Sequence, residues 1–418
     1  MNSSNNDNVN KDNLNNDNNT GSALSKLFTD FFESEKTGGF LLIAATLFSI
    51  MAANLFIGES YSAFWHKYID LSCCGLELKY SIQHWINDAL IAVFFLMIGL
   101  EIERELYTGE LSSLKKAALP VFAALGGMLF PAVIHYAFNY STPAQSGIGI
   151  PMATDIAFAI GVLSIIGRGV PVSLKIFLTA FAIIDDIGAI LMIAIFYSGG
   201  VSLTYLLSSF AVFIFLLILN RMRVFNLALY LIPGFFMWYF MLKSGIHATI
   251  AGILLAFAIP FQAGASGSAS ERLLHALHKP VAFVVLPLFA LANTAIIVDY
   301  HNLSGLFSSN SLGIILGLFI GKPLGVIIFS AAAVRANICS LPHDLRWSHI
   351  LGAGFLGGIG FTMSIFISNL AFSDAALTQS SILAIIAGSL LAAIAGIIFF
   401  NLIKKSPKSS DEGYSCLN

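Results

Sequence analysis

Long apolar segments separated by short polar turns make up most of this chain. A helix of about 20 apolar residues crosses a hydrocarbon core about 30 Å thick, and polar turns return along the chain at about that spacing. The pattern therefore predicts an all-α polytopic membrane protein with twelve transmembrane helices. The predicted segments are 37–57, 82–106, 117–138, 144–166, 172–198, 204–219, 225–242, 245–260, 273–297, 311–334, 348–371 and 380–403.

Composition agrees with this pattern. The chain is 57% hydrophobic and 11% charged, whereas soluble proteins carry about 25% charged residues. A net charge of -2 gives no basic surface for nucleic acid, so no nucleic-acid partner is expected. The four cysteines have no metal-ligand spacing, and no disulfide is expected.

The positive charges alternate between the predicted turns. With a cytoplasmic N-terminus, the inside regions hold 17 of the 21 Lys and Arg residues, and the outside loops hold three. This asymmetry is what the positive-inside rule describes. We therefore expect both termini in the cytoplasm.

The predicted membrane domain covers 36–404, between two polar tails. Residues 1–35 form an Asn-rich cytoplasmic tail that we expect to be disordered, and 405–418 form a second cytoplasmic tail. One outside loop, 58–81, is long, and its end alternates apolar and polar residues over 76–81. That alternation indicates a short strand or β-hairpin, with a plain loop as the alternative.

Two predicted segments are interrupted by small and helix-breaking residues. They are the fourth, over 147–155, and the eleventh, over 352–364. Each is the middle member of a triplet, segments 3–5 and 10–12, and the triplets start an odd number of segments apart. They therefore cross the membrane in opposite senses, as in an inverted repeat whose broken helices meet at a binding site. Close helix packing is the alternative explanation of the glycine run in the eleventh segment.

Two adjacent acidic residues, Asp185 and Asp186, lie in the middle of the apolar fifth segment. A charged side chain at the bilayer centre costs about 2.5–3.5 kcal/mol on insertion scales, so such residues are usually functional. The alternatives are a helix cap or a pair with a structural cation. Neighbours on a helix lie about 100° apart around its axis, so the two carboxylates should face different partners.

Three further residues lie at comparable depth. Asp155 follows the break of the fourth segment, where it could cap the second half-helix, and Thr154 adds a neutral oxygen. Lys322 is the one cation within a predicted segment. A buried lysine needs a counter-charge to stay charged, so we expect it to pair with a buried Asp; snorkelling to an interface is the alternative.

A second polar group lies at the cytoplasmic end of the second segment. Glu101, Arg104 and Glu105 share a helix face through their three- and four-residue spacing. His275 and His278 begin the ninth segment on the same side, and histidines titrate near neutral pH. This mouth either responds to pH or is an ordinary solvated helix end.

Two more polar residues lie at the outer side. Asp88 opens the second segment and His247 starts the eighth. A structural role explains either residue, and it is the better explanation for His247.

Three carboxylates with hydroxyl and backbone oxygens form an all-oxygen site, which suits a hard cation. Burial favours protonation of carboxylates, so the same oxygens could hold either a cation or protons. Between two inverted halves that rock, this competition would become exchange by alternating access.

The residues that carry this argument also carry a resemblance. The stretches are FLMIGLE (95–101), ATDIAF (153–158), AIIDDIGA (182–189), KSGIHAT (243–249), GKP (321–323) and GIGFTMS (358–364). Together and in this order, they resemble the NhaA-type sodium/proton antiporters of bacteria. The resemblance runs from about residue 37 to 403.

The resemblance implies a multi-pass protein of the bacterial inner membrane, not an enzyme and without a cofactor. It would export Na⁺ or Li⁺ against inward protons, two per cation, with activity rising at alkaline pH. Such proteins are often homodimers through the outer hairpin.

The resemblance also implies roles for single residues. Asp186 would be the principal Na⁺ ligand with Asp185 beside it, Asp155 and Thr154 would lie at the crossing of the broken helices, and Lys322 would pair with Asp185. Glu101, Arg104 and Glu105 would form the cytoplasmic funnel and its pH response. One departure concerns that response: Leu274 stands where the family can carry an acidic residue, with Glu271 one turn earlier.

Two other functions remain open at this point. An intramembrane aspartyl protease also buries two aspartates, which Asp155 and Asp186 could mimic, but it would need neither Asp185 nor Lys322. A Na⁺-coupled symporter of an organic anion would need cationic or amide groups for the anion, and Lys322 is the one buried cation at hand.

Overall fold

The fold is described here from a computed structural model, which covers residues 37–55, 58–72, 76–167, 170–197, 199–262, 268–298 and 304–405. The predicted N-terminal tail and all but the first residue of the C-terminal tail lie outside these ranges. Within them, the chain is a bundle of apolar helices with one small sheet. The helices are α1 Thr37–Asn54, α2 Gly58–Trp65, α3 Ile82–Tyr107, α4 Leu114–Asn139, α5 Ile156–Ile166, α6 Val172–Phe196, α7 Leu203–Arg221, α8 Ala228–Ser244, α9 Thr249–Ala258, α10 Ala269–Asn293, α11 Ser309–Arg335, α12 Trp347–Gly357, α13 Phe361–Ala371 and α14 Ala375–Lys405.

Among the described residues, eight helices are long and apolar enough to cross a membrane. Two bent pairs of shorter helices raise that number to ten if each pair is one span. The chain is therefore a multi-pass membrane protein. The shorter α8 and α9 coincide with the predicted seventh and eighth segments; Gly245 joins them with a left-handed φ of 83°, a conformation that glycine adopts at little cost.

The two bent pairs are the predicted broken segments. The first consists of the 3-10 helix Pro143–Met152 and α5, which meet at 46°. The second consists of α12 and α13, which meet at 47°. Both breaks fall within the glycine-rich stretches that predicted them.

The predicted outer hairpin is present. Strand β1 (Tyr68–Asp70) pairs antiparallel with β2 (Lys79–Ser81), with Ile69 opposite Tyr80. Because β2 leads directly into α3, the hairpin marks one end of the bundle, which we call the hairpin end.

Helices α4 and α11 cross at close range beside the broken segments. A Cβ atom on Gly126 of α4 would lie 2.1 Å from the carbonyl oxygen of Gly325 on α11. Small residues at such crossings let membrane helices approach backbone to backbone. Earlier in α11, residues Gly317–Gly321 form a wide π turn immediately before Lys322 and Pro323, where proline removes a backbone donor.

Candidate functional site

The two broken segments are joined to each other at their breaks. The backbone N–H of Asp155 donates to the carbonyl of Ile359 at 2.7 Å, and the Thr154 hydroxyl donates to the carbonyl of Gly357 at 2.8 Å. Both donors lie between the 3-10 helix and α5, and both acceptors lie at the break between α12 and α13. The breaks therefore meet inside the bundle, as the sequence predicted.

Asp155 caps two helices at this meeting point. Its Oδ1 accepts from the N–H of Phe158 in α5 at 3.0 Å, and its Oδ2 accepts from the N–H of Thr362 in α13 at 3.1 Å and from the Thr362 hydroxyl. Helix N-termini carry partial positive charge and unpaired N–H groups, which a carboxylate satisfies. The predicted cap on the second half-helix is confirmed, and its partner Thr362 was not singled out from the sequence.

A second cap on α13 comes from Ser389 of α14. Its hydroxyl oxygen accepts from the N–H groups of Gly360 and Phe361, each at 3.2 Å. Ser389 is buried, and in sequence it looks like any small residue in an apolar helix. Protein groups thus occupy the first donors of α13.

Lys322 is fully buried and pairs with Asp185. Its Nζ donates to Asp185 Oδ2 at 2.7 Å, and neither side chain is exposed. The same Nζ donates to the carbonyl of Met152, the last residue of the 3-10 helix, where the partial charge is negative. The expectation of a buried Lys–Asp pair is confirmed, and the snorkelling alternative is wrong.

Asp186 has a different environment. Its Oδ1 is buried and has no hydrogen-bond partner among the described residues. The side chain lines a small cavity together with Asp155 and Thr362. The space open to the centre of a water molecule is about 20 Å³, and about 10–15 Å³ suffices for one water. The remaining walls are apolar: Phe94, Met97, Ile156, Ala157, Val281, Ala282, Leu286 and Met363.

Adjacent positions on α6 thus send the two carboxylates to different partners, as predicted from their spacing. Asp185 meets Lys322, and Asp186 meets the cavity. Neither Asp185 nor Thr154 is among the described residues that line this cavity. The part of the chain that the structure describes contains no group of three His, Cys, Asp or Glu side chains placed to hold a metal ion. A cation in the cavity would meet the carboxylates of Asp155 and Asp186 and the hydroxyl of Thr362.

The sequence of this chain matches the family model of Na⁺/H⁺ antiporter 1 over residues 29–400. The chain belongs to the Na⁺/H⁺ antiporter 1 family. It is 56% identical to the Na⁺/H⁺ antiporter NhaA of Dechloromonas aromatica over 93% of this chain and 98% of the relative. It is 54% identical to NhaA 1 of Flavobacterium johnsoniae over 93% of this chain and 100% of the relative. Identity to NhaA of Vibrio cholerae is 47%, over 91% of this chain and 98% of the relative.

Membership in this antiporter family confirms the resemblance seen in the sequence. The family consists of transporters, so the chain is not an enzyme. In this member of the family, the matched region contains both broken segments and all three buried aspartates described above.

A second cluster lies at the end of α3 away from the hairpin. Glu101 is buried, and its Oε1 lies 3.6 Å from an Arg104 guanidinium nitrogen, which lies 3.3 Å from Glu105 Oε1. The predicted shared face is therefore confirmed. The histidines of α10 lie near the same end of the bundle, where His278 is within electrostatic range of Arg104 and His275.

The sequence did not single out Glu103. It is 5% exposed, and its Oε2 accepts from the Ser270 hydroxyl at 2.9 Å, which joins α3 to α10. Two residues along a helix lie about 200° apart around the axis, so Glu103 faces away from Glu101. In a charged run at a helix end, the burial of a second carboxylate against another helix leaves no sequence signal.

The two polar residues of the hairpin end make structural contacts. Asp88 Oδ2 lies 3.0 Å from His84 Nε2, and its backbone carbonyl accepts from the Trp238 indole at 3.0 Å. His247 Nε2 lies 2.7 Å from the carbonyl of Tyr197, to which it must donate. The structural explanation preferred for His247 fits this bond.

Proposed function

We propose that this protein exchanges Na⁺ or Li⁺ for H⁺ across the bacterial inner membrane and so serves pH and sodium homeostasis. The observation that carries the proposal is the unpartnered Oδ1 of Asp186 on a cavity that it shares with Asp155. A buried carboxylate is stable when it binds either a proton or a cation. The two therefore compete at Asp186.

Alternating access turns this competition into transport. The cation displaces a proton on one side and is displaced by a proton on the other, as the crossed half-helices move with their triplets. Asp186 is the principal ligand and Asp155 the second wall of the site. Thr154 holds the crossing together through its bond to Gly357.

The exchange is electrogenic, with about two protons per cation, as the resemblance implies. Asp186 takes the first proton. The second is assigned to the pair of Asp185 and Lys322, whose charges lie 2.7 Å apart without exposure to water. With two protons entering for each cation that leaves, each transport cycle moves one net positive charge inward.

The topology proposed is twelve membrane segments with both termini in the cytoplasm. A described helix coincides with each predicted segment, and α8 and α9 count as the seventh and eighth. The inverted repeat of segments 3–5 and 10–12 is supported by one bent pair in the middle of each triplet. Outward side chains such as Leu207 and Ile214 of α7 suit contact with lipid.

The cytoplasmic mouth is proposed as the funnel and pH-responsive element. Glu101, Arg104 and Glu105 form its acidic and basic face, and His275 and His278 approach it from α10. Its position at the end of α3 away from the hairpin suits the rise in activity at alkaline pH that the resemblance implies.

We also propose a homodimer through the hairpin. Tyr68 and Ile69 of β1 are 71% and 41% exposed, and a strand edge with apolar side chains readily pairs with a second copy.

The alternative of an organic-anion symporter is disfavoured by the occupied donors at the crossing. The described donors there already bind protein acceptors: Asp155 and Ser389 cap the half-helices, and Lys322 serves Asp185 and Met152. An anion would have to displace these bonds. The aspartyl protease is disfavoured because both oxygens of Asp155 accept helix-capping bonds instead of sharing a catalytic water.

The test uses purified protein in liposomes with an imposed pH gradient. Added Na⁺ or Li⁺, but not K⁺, should dissipate the gradient, and Asp186→Asn should abolish this effect. Asp185→Asn should impair exchange less than Asp186→Asn does, since it leaves the cavity carboxylate in place.

The matched control is Asp374→Asn, an exposed residue before α14 whose side chain accepts from the N–H of Ala376, a role that Asn fills equally well. Its activity should equal that of the parent. A gradient that Na⁺ leaves unchanged at both neutral and alkaline pH would rule out the proposal. Clamping the membrane potential at zero should change the rate; an unchanged rate would exclude the two-to-one exchange.

A further inference from the structure

Four amide side chains meet at the hairpin end of the bundle. Asn293 Oδ1 of α10 accepts from Asn87 Nδ2 of α3 at 3.0 Å, from Gln83 Nε2 of α3 at 3.3 Å and from Asn369 Nδ2 of α13 at 2.8 Å. Asn293 Nδ2 donates back to Asn87 Oδ1 at 2.7 Å. We call Gln83, Asn87, Asn293 and Asn369 the amide cluster. Neither the sequence patterns nor the proposed function assigns it a role.

The amide cluster lies two turns from the ion cavity on each of its three helices. Seven residues, about 10 Å of helix, separate Leu286 from Asn293, and the same spacing separates Thr362 from Asn369. Leu286 and Thr362 line the cavity. The amide cluster therefore lies between the cavity and the hairpin end.

A layer of aromatic rings fills the space between. Phe95 of α3, Phe289 of α10 and Phe366 of α13 are all buried. The ring centroid of Phe366 lies 5.5 Å from that of Phe95 and 6.5 Å from that of Phe289. The same three helices thus form cavity, aromatic layer and amide cluster in succession, and the buried rings lie between the cavity and the hairpin end.

One bond of the amide cluster, from Asn369 to Asn293, joins a helix of a triplet to a helix outside both triplets. Helix α13 belongs to the triplet of broken and crossing segments, and Thr362 near its start binds Asp155. Helices α3 and α10 belong to neither triplet. When the triplets move against the rest of the protein, the bond from Asn369 to Asn293 must change, whereas the bonds between α3 and α10 need not.

The bond from Asn369 can break at little cost, because Asn293 Oδ1 accepts from more donors than it has lone pairs. A carbonyl oxygen has two lone pairs, yet three N–H groups converge on Asn293 Oδ1. After Asn369 leaves, Asn87 and Gln83 still satisfy the oxygen. Release therefore leaves no buried acceptor unpaired, and the half-buried Asn369 can bind water instead.

We propose that the bond from Asn369 to Asn293 is a reversible latch that keeps the hairpin end of the ion path closed. The latch rests on the proposed exchange by alternating access: it favours the state closed at this end, and a cation leaves there only after the latch opens. Asn293 and Asn369 are positioning residues, since they contact neither the cavity nor the ion.

The test measures access to the cavity from the hairpin end. In a cysteine-free background, Met97→Cys places a thiol on the cavity wall. A membrane-impermeant maleimide is added from the hairpin side of sealed vesicles, and the labelling rate is measured without Na⁺ or a pH gradient. Asn369→Ala should raise that rate about fivefold, the equilibrium effect of losing one neutral hydrogen bond.

Asn54→Ala is the matched control. Asn54 Nδ2 donates to the carbonyl of Ile296 at 2.9 Å, which also joins two helical regions near this end but does not involve α13. Its labelling rate should equal that of the parent. A parental rate in Asn369→Ala, or an equal increase in Asn54→Ala, would overturn the latch.

If Asn369→Ala does not yield folded protein, Asn369→Asp replaces it and the same outcomes decide. The aspartate keeps the shape of the side chain, but its ionised form cannot donate a hydrogen bond. Because labelling requires neither ion exchange nor a gradient, failure of the proposed function and failure of the latch give separate results.

Discussion

The buried pair of Lys322 and Asp185 allows a quantitative test of what holds the crossing together. Lys322→Met keeps most of the apolar stem and removes the charge. Two groups then lose their donor: the Asp185 carboxylate, 2.7 Å from Nζ, and the carbonyl of Met152. Both groups are buried.

The expected cost is the sum of two effects. Removing one partner of a buried ion pair costs about 3–5 kcal/mol, and an unpaired buried carbonyl adds about 1–3 kcal/mol. The double variant Lys322→Met/Asp185→Leu removes the stranded charge but not the unpaired carbonyl of Met152. It should therefore recover about 3–5 kcal/mol relative to the single variant.

The assay is thermal unfolding of the purified protein in detergent. With about 2.1 cal/mol/K of unfolding entropy per residue, a chain of 418 residues changes its Tm by roughly 1 °C per kcal/mol. The double variant should melt about 3–6 °C above Lys322→Met. Lys79→Met, at an exposed position of strand β2, should match the parent. A double variant that melts no higher than the single one would refute the assignment of the loss to a stranded carboxylate.

Two further substitutions test the cavity and the helix crossing. Thr362→Val removes the hydroxyl bond to Asp155 and should raise the KM for Na⁺ about tenfold or more, since bonds to charged groups contribute about 1.5–3 kcal/mol. The control Thr378→Val loses a bond at the exposed start of α14 and should leave the KM unchanged. Equal effects of the two substitutions would count against a role of Thr362 in binding. Gly325→Ala would place a Cβ atom 2.0 Å from a carbonyl oxygen of α4 and should lower the folded yield in size-exclusion chromatography. Gly161→Ala, whose Cβ would meet nothing closer than 3.6 Å, should be tolerated, and a normal yield for Gly325→Ala would contradict the close crossing.

The sequence predicts the features that depend on local pattern. Apolar length located the helices, and glycine and proline located both breaks. Alternation before α3 indicated β2, although β1 carried no separate signal. The angular offset between Asp185 and Asp186 was enough to predict that they face different partners.

Contacts between distant parts of the chain could not be predicted in this way. The bond between Asp155 and Thr362 joins residues 207 positions apart, and a threonine after Gly-Phe in an apolar segment has no distinctive spacing. The burial of Glu103 and the convergence of three amides on Asn293 depend on how α3, α10 and α13 pack. Polar residues of this kind become informative only after the helices are assembled.

The double cap at Asp155 gives the crossing a mechanical property. One carboxylate anchors the first turns of two half-helices that come from opposite ends of the sequence. Any event that withdraws negative charge from it weakens both anchors together, because its two oxygens share one charge and each oxygen caps one half-helix. Binding of an ion and the positions of both half-helices are then coupled directly through this one carboxylate. No chain of intermediate contacts is needed for the two triplets to move together.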